Sequence, residues 1–352
     1  RPEELRAETP GRELVNEDHP HVMELWNLVF IQYNAQSDGT LEPLADQHVD
    51  TGMGFERMVA VLQHGTGSTY DTDLFAPLLQ RTAELSPLDH LNGYDDIEGV
   101  EEDERERIRI AMRVVSDHIR AISFAIADGV TPGPEGRGYV IRRILRRAVR
   151  YGYTALGFEK PFLYRLLDPL REKMSDTFAE LDRHADYIRQ VIQSEEESFL
   201  TTLASGISFF ERVTPYILRV RGNGEAESQV REELQADSAT RDLLQNAYVD
   251  TQRENITDRF LETARRGELP GEVAFLLHDT YGFPIDLTRL MAREEDIGID
   301  MDRYHELMQR QKDRARAAAT FGIDQSEQDA WTVVSEGADS EFVGYDALEV
   351  ND

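Results

Sequence analysis

The segment from Arg137 to Arg150 constrains the fold of this chain most, because its pattern fits a helix that is apolar on one side and cationic on the other. At about 100° per residue, one half of this helix carries Val140, Ile141, Ile144, Leu145, Ala148 and Val149. The other half, which we call the arginine face, carries Arg142, Arg143, Arg146, Arg147 and Arg150. Like charges one turn apart destabilise a helix by about 0.2–0.5 kcal/mol per pair. The arginine face therefore needs either carboxylates from elsewhere in the chain or an anionic ligand.

Helical periodicity dominates after about residue 70, whereas the first third of the chain mixes strand and helix. Aromatic and β-branched residues predict a strand over 24–34, and the dipeptide Asp38-Gly39 predicts a turn. A second strand is predicted over 48–55, and helical spacing begins at Glu56. The expected fold class is α+β. Its predicted parts are 1–68 with a small antiparallel sheet, 69–325 mainly helical, and 326–352 as the truncated start of a β domain.

The composition excludes several classes of protein. The chain has no cysteine, which excludes disulfide frameworks, cysteine zinc sites and thiolate catalysis. Its apolar runs are short and broken by charge, so we expect no transmembrane helix, no membrane partner and a cytoplasmic location. The net charge of −30 repels nucleic acid at long range and gives no indication of a DNA partner. Adaptation to concentrated salt is one explanation of so acidic and lysine-poor a chain.

Residues 49–57, Val-Asp-Thr-Gly-Met-Gly-Phe-Glu-Arg, indicate a small-molecule site. Gly52 and Gly54 are two positions apart on a strand, so they share a face on which a flat ligand can approach the backbone. Asp50 has the same parity, and its carboxylate could hold an ammonium group. Arg57 begins the next helix and could stack on a purine or pair with phosphate. The alternative is a strand with packing glycines and a surface ion pair.

Four blocks of sequence, in order, resemble the alanyl-tRNA synthetases, which are class II aminoacyl-tRNA synthetases. The first runs from His21 to Arg57 and ends in Gly-Met-Gly-Phe-Glu-Arg, which resembles motif 3 of class II. The later blocks are Ala127-Asp128-Gly129-Val130, Gly138–Arg150 and His278–Thr288. The resemblance implies that 1–68 is the C-terminal part of a class II catalytic domain, and that 69–325 is a helical tRNA-recognition domain.

The resemblance also implies roles for residues around motif 3. The arginine that matches Arg57 stacks on the adenine of ATP, with Gly54 beside it, and the aspartate that matches Asp50 binds the α-amino group of alanine. Trp26 either lines the same pocket or is a core aromatic residue. The implied substrate-binding residues are Asn27, Asp50, Gly52, Gly54 and Trp26.

For the helical part, the resemblance implies contact with the acceptor stem of tRNA, in which the family recognises a G–U wobble pair. Asp279 matches the aspartate that makes this contact; the alternative is a helix N-cap or turn residue. The expected asparagine is replaced within Pro132-Gly133-Pro134, and proline cannot donate a hydrogen bond. Either a backbone amide of Gly133 or Gly136 substitutes, or the recognition is altered. The arginine face and Arg137 are candidates for tRNA phosphate contacts, and salt bridges within the chain are the alternative.

The expected function is that of part of a ligase that activates alanine with ATP and Mg²⁺ and transfers it to the 3′ end of tRNA(Ala). Arg1-Pro2 provides neither a starting Met nor a signal sequence, so we expect an internal piece of a longer protein. Motifs 1 and 2 and the family's zinc-bearing region are expected outside it. We therefore expect no catalytic residue, no metal ligand and no independent activity. The alternatives are a non-catalytic helical RNA-binding module with a relic sheet, and an acidic scaffold that binds proteins.

Overall fold

The structure is a computed structural model that describes residues 10–15, 17, 19, 22–63, 68–222, 226–248 and 256–321. These residues form two compact units. The first extends to Tyr216 and includes Leu276–Asp296, and the second contains Ile217–Phe275 and the residues from Ile297 onward. The domain boundaries at 68 and 325 remain predictions, and the β domain expected over 326–352 lies outside the described residues.

Helices make up most of the described chain, and a small sheet accompanies them, as the α+β prediction requires. The elements of the N-terminal half are β1 (Trp26–Ala35), β2 (Leu41–Met53), α1 (Phe55–Gln63), α2 (Ala76–Leu85), α3 (Glu102–Ala127), α4 (Gly136–Leu156), α5 (Leu167–Met174), α6 (Glu180–Arg183) and α7 (Ala185–Val220). The others are α8 (Ala226–Ala236), α9 (Ser238–Ala247), α10 (Ile256–Ala264), β3 (Glu268–Leu269), α11 (Gly271–Asp279), α12 (Ile285–Glu294), β4 (Gly298–Ile299) and α13 (Met301–Phe321). None of the described helices combines the length and the apolar character needed to cross a bilayer.

The strands β1 and β2 form the antiparallel hairpin that the sequence predicts, although β2 begins seven residues earlier than expected. The turn is stabilised by Asp38, whose Oδ1 accepts hydrogen bonds from the amide and the hydroxyl of Thr40 at 2.9 and 2.7 Å. Gly39 has a φ of 85°, a conformation that glycine adopts at little cost. The pairing shifts register between Ile31 and Tyr33. The candidate site lies in the regularly paired part of the hairpin on the side of this shift away from the turn.

The core of the first unit forms where α3 packs against α4. The apolar side of α4 is buried as predicted at Leu145, Ala148 and Val149, and it faces a buried apolar row on α3 that includes Ile119 and Ile122. Because this side of α4 is covered, the arginine face must point towards other helices or towards solvent.

The second unit has its own core, to which α10 contributes the buried residues Phe260 and Leu261. Its strands β3 and β4 pair in parallel. The buried carboxylate of Glu272 lies 2.7 Å from Nε of Arg303 and 3.3 Å from Nη2 of Arg259. Two cations therefore compensate this buried acidic group.

A buried carboxylate in the first unit has no ion pair with a cation of the described part of the chain. Glu196 on α7 is fully buried and accepts hydrogen bonds from the amides of Phe162, Leu163 and Tyr164, at 2.8, 2.9 and 3.5 Å, where a short 3₁₀ turn begins. Burial disfavours its charged form more than these amides favour it, and raises the pKa of Glu196 from 4.5 to about 7.

We predict that Glu196→Gln removes a pH dependence of stability. A carboxyl group whose pKa is higher in the folded chain stabilises it fully below pH 4.5, and this contribution disappears as the pH rises through about 7. Between pH 5 and 8 the variant should therefore gain up to about 3 kcal/mol relative to the parent, since each unit of pKa shift corresponds to about 1.4 kcal/mol. Glutamine keeps an oxygen that can accept the amides of Phe162 and Leu163.

Urea unfolding at several pH values measures this difference. The control is Glu197→Gln, which neutralises an exposed carboxylate one residue away. A constant difference between Glu196→Gln and the parent from pH 5 to 8 would contradict the prediction.

Candidate functional site

A cleft of about 410 Å³ lies on one face of the hairpin, at the end away from its turn. The register explains part of its lining, because Asn27 is paired with Gly52 and Val29 with Asp50, and directly opposed residues project from the same face; Thr51 and Met53 of β2 also contribute. The structure thus brings together five residues that the sequence predicted as site residues: Asn27, Asp50, Gly52, Gly54 and Arg57. The volume of the cleft is within the range of small-molecule sites.

The two glycines contribute differently to the cleft. A Cβ placed on Gly52 would have no heavy atom within 4 Å, so the cleft is lined there by bare backbone. A Cβ placed on Gly54 would lie 3.0 Å from Cδ of Arg57, so Gly54 makes room for that side chain. Nη1 of Arg57 donates to the backbone oxygen of Glu24 at 2.8 Å, which holds the exposed guanidinium beside the first residues of β1.

Helix α1 is fixed to the body of the first unit by an ion pair that sequence reasoning missed. Oε1 of Glu56 lies 2.6 Å from Nη2 of Arg120 on α3. The Arg120 guanidinium also lies 4.6 Å from the centre of the Phe75 ring. Because Glu56 precedes Arg57, this pair positions the start of α1 beside the cleft. The partners are 64 residues apart, so no local pattern could have indicated the contact.

Trp26 is not among the residues that line the cleft, and its role in binding substrate stays a prediction. It is paired with Met53, and strand alternation places its side chain on the opposite face of β1 from that of Asn27, although Met53 itself contributes to the cleft lining. In this chain 62% of the surface of Trp26 is exposed. The same face carries Leu28, which is also exposed.

All five residues of the arginine face lie within ion-pair distance of carboxylates of the chain. Glu195 on α7 lies 3.2 Å from Arg142 and 2.5 Å from Arg146. On α12, Asp286 lies 3.3 Å from Arg143 and 3.4 Å from Arg147, and Glu294 pairs with Arg150. Internal salt bridges, which the sequence left open beside an anionic ligand, are therefore present along this helix.

The five arginines nevertheless differ in exposure. Arg146 and Arg150 expose only 12% and 10% of their side chains, which leaves them little surface for a ligand. Arg143 and Arg147 expose 39% and 36%. Arg137, in the first turn of α4, is exposed and has no ion pair among the described residues. These three remain candidates for contact with an anion.

Asp279 is the last residue of α11 and is exposed, so it is not a helix N-cap. His278 before it is half-buried; burial lowers the pKa of its imidazole, while the Asp279 carboxylate opposes this and Arg146 adds to it. The Arg146 charge therefore lies close enough to act on this end of α11.

The loop that lacks the expected asparagine is folded against the start of α4. The amide of Gly133, one suggested substitute, donates to the backbone oxygen of Gly138 at 3.0 Å, so that bond already occupies it. A Cβ placed on Gly138 would lie 2.7 Å from the backbone oxygen of Thr131. Close packing of these two backbones therefore fixes the loop. Among the described residues, no group of three or more histidine, aspartate and glutamate side chains is arranged to hold a metal ion.

The comparisons with known proteins identify the family. A family model described as "tRNA synthetases class II (A)" matches residues 3–223 and 246–352, which is most of the chain. The chain therefore belongs to this family of class II aminoacyl-tRNA synthetases.

The curated relatives that resemble this chain are alanine–tRNA ligases. An alanine–tRNA ligase of Salinibacter ruber is 64% identical over 354 residues, which cover 100% of this chain and 36% of the relative. Alanine–tRNA ligases of Bacteroides fragilis and Chlorobaculum tepidum are 43% and 42% identical, over 99% and 98% of this chain and 33% of each relative. The chain thus spans about a third of the length of these relatives.

We predict that Gly52→Ala and Gly138→Ala differ in their effect on the free energy of unfolding, because Gly52 borders the cleft and Gly138 is packed against backbone. The methyl group at Gly52 enters the cleft without touching protein, so the free energy of unfolding should change by no more than about 0.5 kcal/mol. The methyl group at Gly138 meets backbone and should destabilise the chain by about 1–3 kcal/mol. Urea unfolding of both variants measures this, and equal losses would contradict the proposed geometry.

Proposed function

We propose that this chain supplies the alanine and adenine contacts of an alanine–tRNA ligase, together with its contacts to the tRNA acceptor stem. The observation that carries the proposal is the single cleft in which Asn27, Asp50 and Gly52 lie next to Arg57. A carboxylate, an amide, a strip of bare backbone and a guanidinium are what a site for a small amino acid and a purine nucleotide requires.

In this proposal the cleft acts by binding and orientation. Asp50 holds the ammonium group of alanine, and Asn27 hydrogen-bonds the same ligand. Arg57 stacks on adenine while its contact with Glu24 keeps the guanidinium beside the cleft. The alanine carboxylate then attacks the α-phosphate of ATP in line, and pyrophosphate leaves. Mg²⁺ accompanies the ATP phosphates. The contact that grips the α-phosphate belongs to motif 2, which we place elsewhere in the ligase.

The helical part is proposed to bind the acceptor stem of tRNA(Ala). Asp279 at the exposed end of α11 is the candidate for the base contact, and a carboxylate can accept a hydrogen bond from a base amino group. Arg137, Arg143 and Arg147 are the candidates for phosphate contacts because they retain exposed surface. Arg142, Arg146 and Arg150 are assigned to the scaffold.

The second candidate function is a helical RNA-binding module in which the hairpin no longer has a catalytic role. The exposed apolar face of the hairpin around Trp26 argues against it, because an isolated two-stranded hairpin is marginally stable in water. We expect other segments of a ligase of the relatives' length to cover that face.

We predict that Asp50→Asn raises the KM for alanine about 10-fold or more in a full-length ligase, meaning this chain joined to segments that complete the relatives' length. The change removes the negative partner of the substrate ammonium, and a hydrogen bond to a charged group contributes about 1.5–3 kcal/mol. The KM for ATP should stay within about two-fold. Alanine-dependent exchange of pyrophosphate into ATP measures both constants.

The control is Asp46→Asn, on the same strand but outside the cleft lining. An unchanged KM for alanine in Asp50→Asn, or an equal rise in Asp46→Asn, would refute the assignment of Asp50.

We predict that Arg137→Ala reduces the salt dependence of tRNA binding by one phosphate contact. The slope of log affinity against log salt concentration should become shallower by about 0.7–0.9, at equal cost for cognate and non-cognate tRNA, because phosphate contacts carry no sequence information. Arg212→Ala, at an exposed position on α7, should leave the slope unchanged. Filter binding between about 50 and 300 mM salt measures these slopes. Equal slopes for Arg137→Ala and the parent would exclude a phosphate contact by Arg137.

A further inference from the structure

Arg146 differs from the other residues of the arginine face, because its guanidinium reaches a backbone carbonyl. Nε and Nη2 donate to Oε1 of Glu195 at 2.7 and 2.5 Å, and Nη1 donates to the backbone oxygen of Gly282. The group also lies 4.9 Å from the centre of the Phe199 ring. All three of its nitrogen atoms thus have partners within the protein, on α7 and on the turn between α11 and α12.

That turn, Tyr281-Gly282-Phe283, is held from α7 as well. The hydroxyl of Thr202 donates to the backbone oxygen of Tyr281 at 2.8 Å. Phe283 is fully buried, makes an edge contact with Phe199 at 5.6 Å, and occupies the space that a side chain on Gly206 would need. These contacts fix the two flanks of the turn, and Arg146 fixes its centre.

The centre of the turn depends on Gly282 and Arg146 together. Gly282 has a φ of 71°, a conformation that residues with a side chain rarely adopt. A Cβ on Gly282 would collide with Nη1 of Arg146, so the guanidinium occupies the space that the glycine leaves.

A displacement of the turn would be transmitted to Asp279. Between them the chain is short and hydrogen-bonded, since the amide of Thr280 donates to the oxygen of Leu276 and that of Phe283 donates to the oxygen of Leu277, both at 2.9 Å. The end of α11 and the turn therefore move together.

We infer that Arg146 is a positioning residue for Asp279: from α4 it anchors the turn through the Gly282 carbonyl and so fixes the carboxylate that meets the acceptor stem. The inference rests on the proposed function, in which Asp279 contacts tRNA. It assigns Arg146 a role in tRNA recognition without a contact to tRNA, which agrees with its 12% side-chain exposure.

The test is a double-substitution cycle in the full-length ligase. Arg146→Lys keeps the positive charge but loses the planar fork that bonds Glu195 and Gly282 together. Asp279→Asn alone should lower kcat/KM for tRNA about 10-fold or more, because a neutral amide oxygen accepts a base amino group more weakly than a carboxylate does. In the Arg146→Lys background the same change should cost at least about 5-fold less, because the carboxylate is already displaced.

The matched control is Arg150→Lys, which disturbs another buried arginine–carboxylate pair of the same helix, with Glu294 as the partner. In that background Asp279→Asn should cost as much as in the parent. Alanine-dependent pyrophosphate exchange, which needs no tRNA, should stay within about two-fold in Arg146→Lys, since only tRNA use is affected.

Each outcome decides a different point. If Asp279→Asn has no effect in the parent, the proposed role of Asp279 fails and the inference fails with it. If the effects of Asp279→Asn and Arg146→Lys simply multiply, Asp279 keeps its role and the positioning role of Arg146 is wrong. Should Arg146→Lys not fold, Thr202→Val removes the neighbouring hydrogen bond to Tyr281, and its effect must likewise overlap with that of Asp279→Asn.

Discussion

Single carboxylates shared between pairs of arginines connect α4 to two other helices of the first unit. Arg142 and Arg146 are one helical turn apart and repel each other, yet both contact Glu195 on α7. Asp286 on α12 serves Arg143 and Arg147 in the same way. Each carboxylate converts a repulsion within α4 into a connection with another helix. Without either partner, two cations would remain with less solvation than in water, which is strongly destabilising where the groups are buried.

The sequence was sufficient to predict the parts of the site that depend on neighbouring residues. Strand alternation predicted that Asp50 and Gly52 share a face, and the cleft contains both. The same rule, applied across the hairpin, places Trp26 on the opposite face from Asn27, but this needs the pairing register. The register depends on where β2 begins and on the shift near Ile31, and neither has a local signal.

The partners of the arginine face could not be predicted, because ion pairs depend on tertiary packing. The sequence showed that five cations needed compensation and left carboxylates and an anionic ligand as alternatives. The hydrogen-bonded partners that the fold provides are 49 residues away for Arg146 and 144 for Arg150. With 68 acidic residues in the chain, no spacing rule could select Glu195 or Glu294. The excess of acidic residues made ion pairs within the chain possible, and tertiary packing determined which carboxylates form them.

On the proposed function, this internal neutralisation changes how a chain of net charge −30 would bind RNA. Since the arginine face is compensated, it offers no broad basic surface, and the long-range field repels phosphate. Binding must then depend on contacts shorter than the Debye length, about 8 Å at 0.15 M salt and about 3 Å at 1 M. Salt weakens the repulsion as well as the few phosphate contacts, whereas a hydrogen bond from a base to Asp279 is less sensitive to it. On the proposed function, base recognition therefore supplies a growing share of the affinity as salt rises, and the precise position of Asp279 matters most under those conditions.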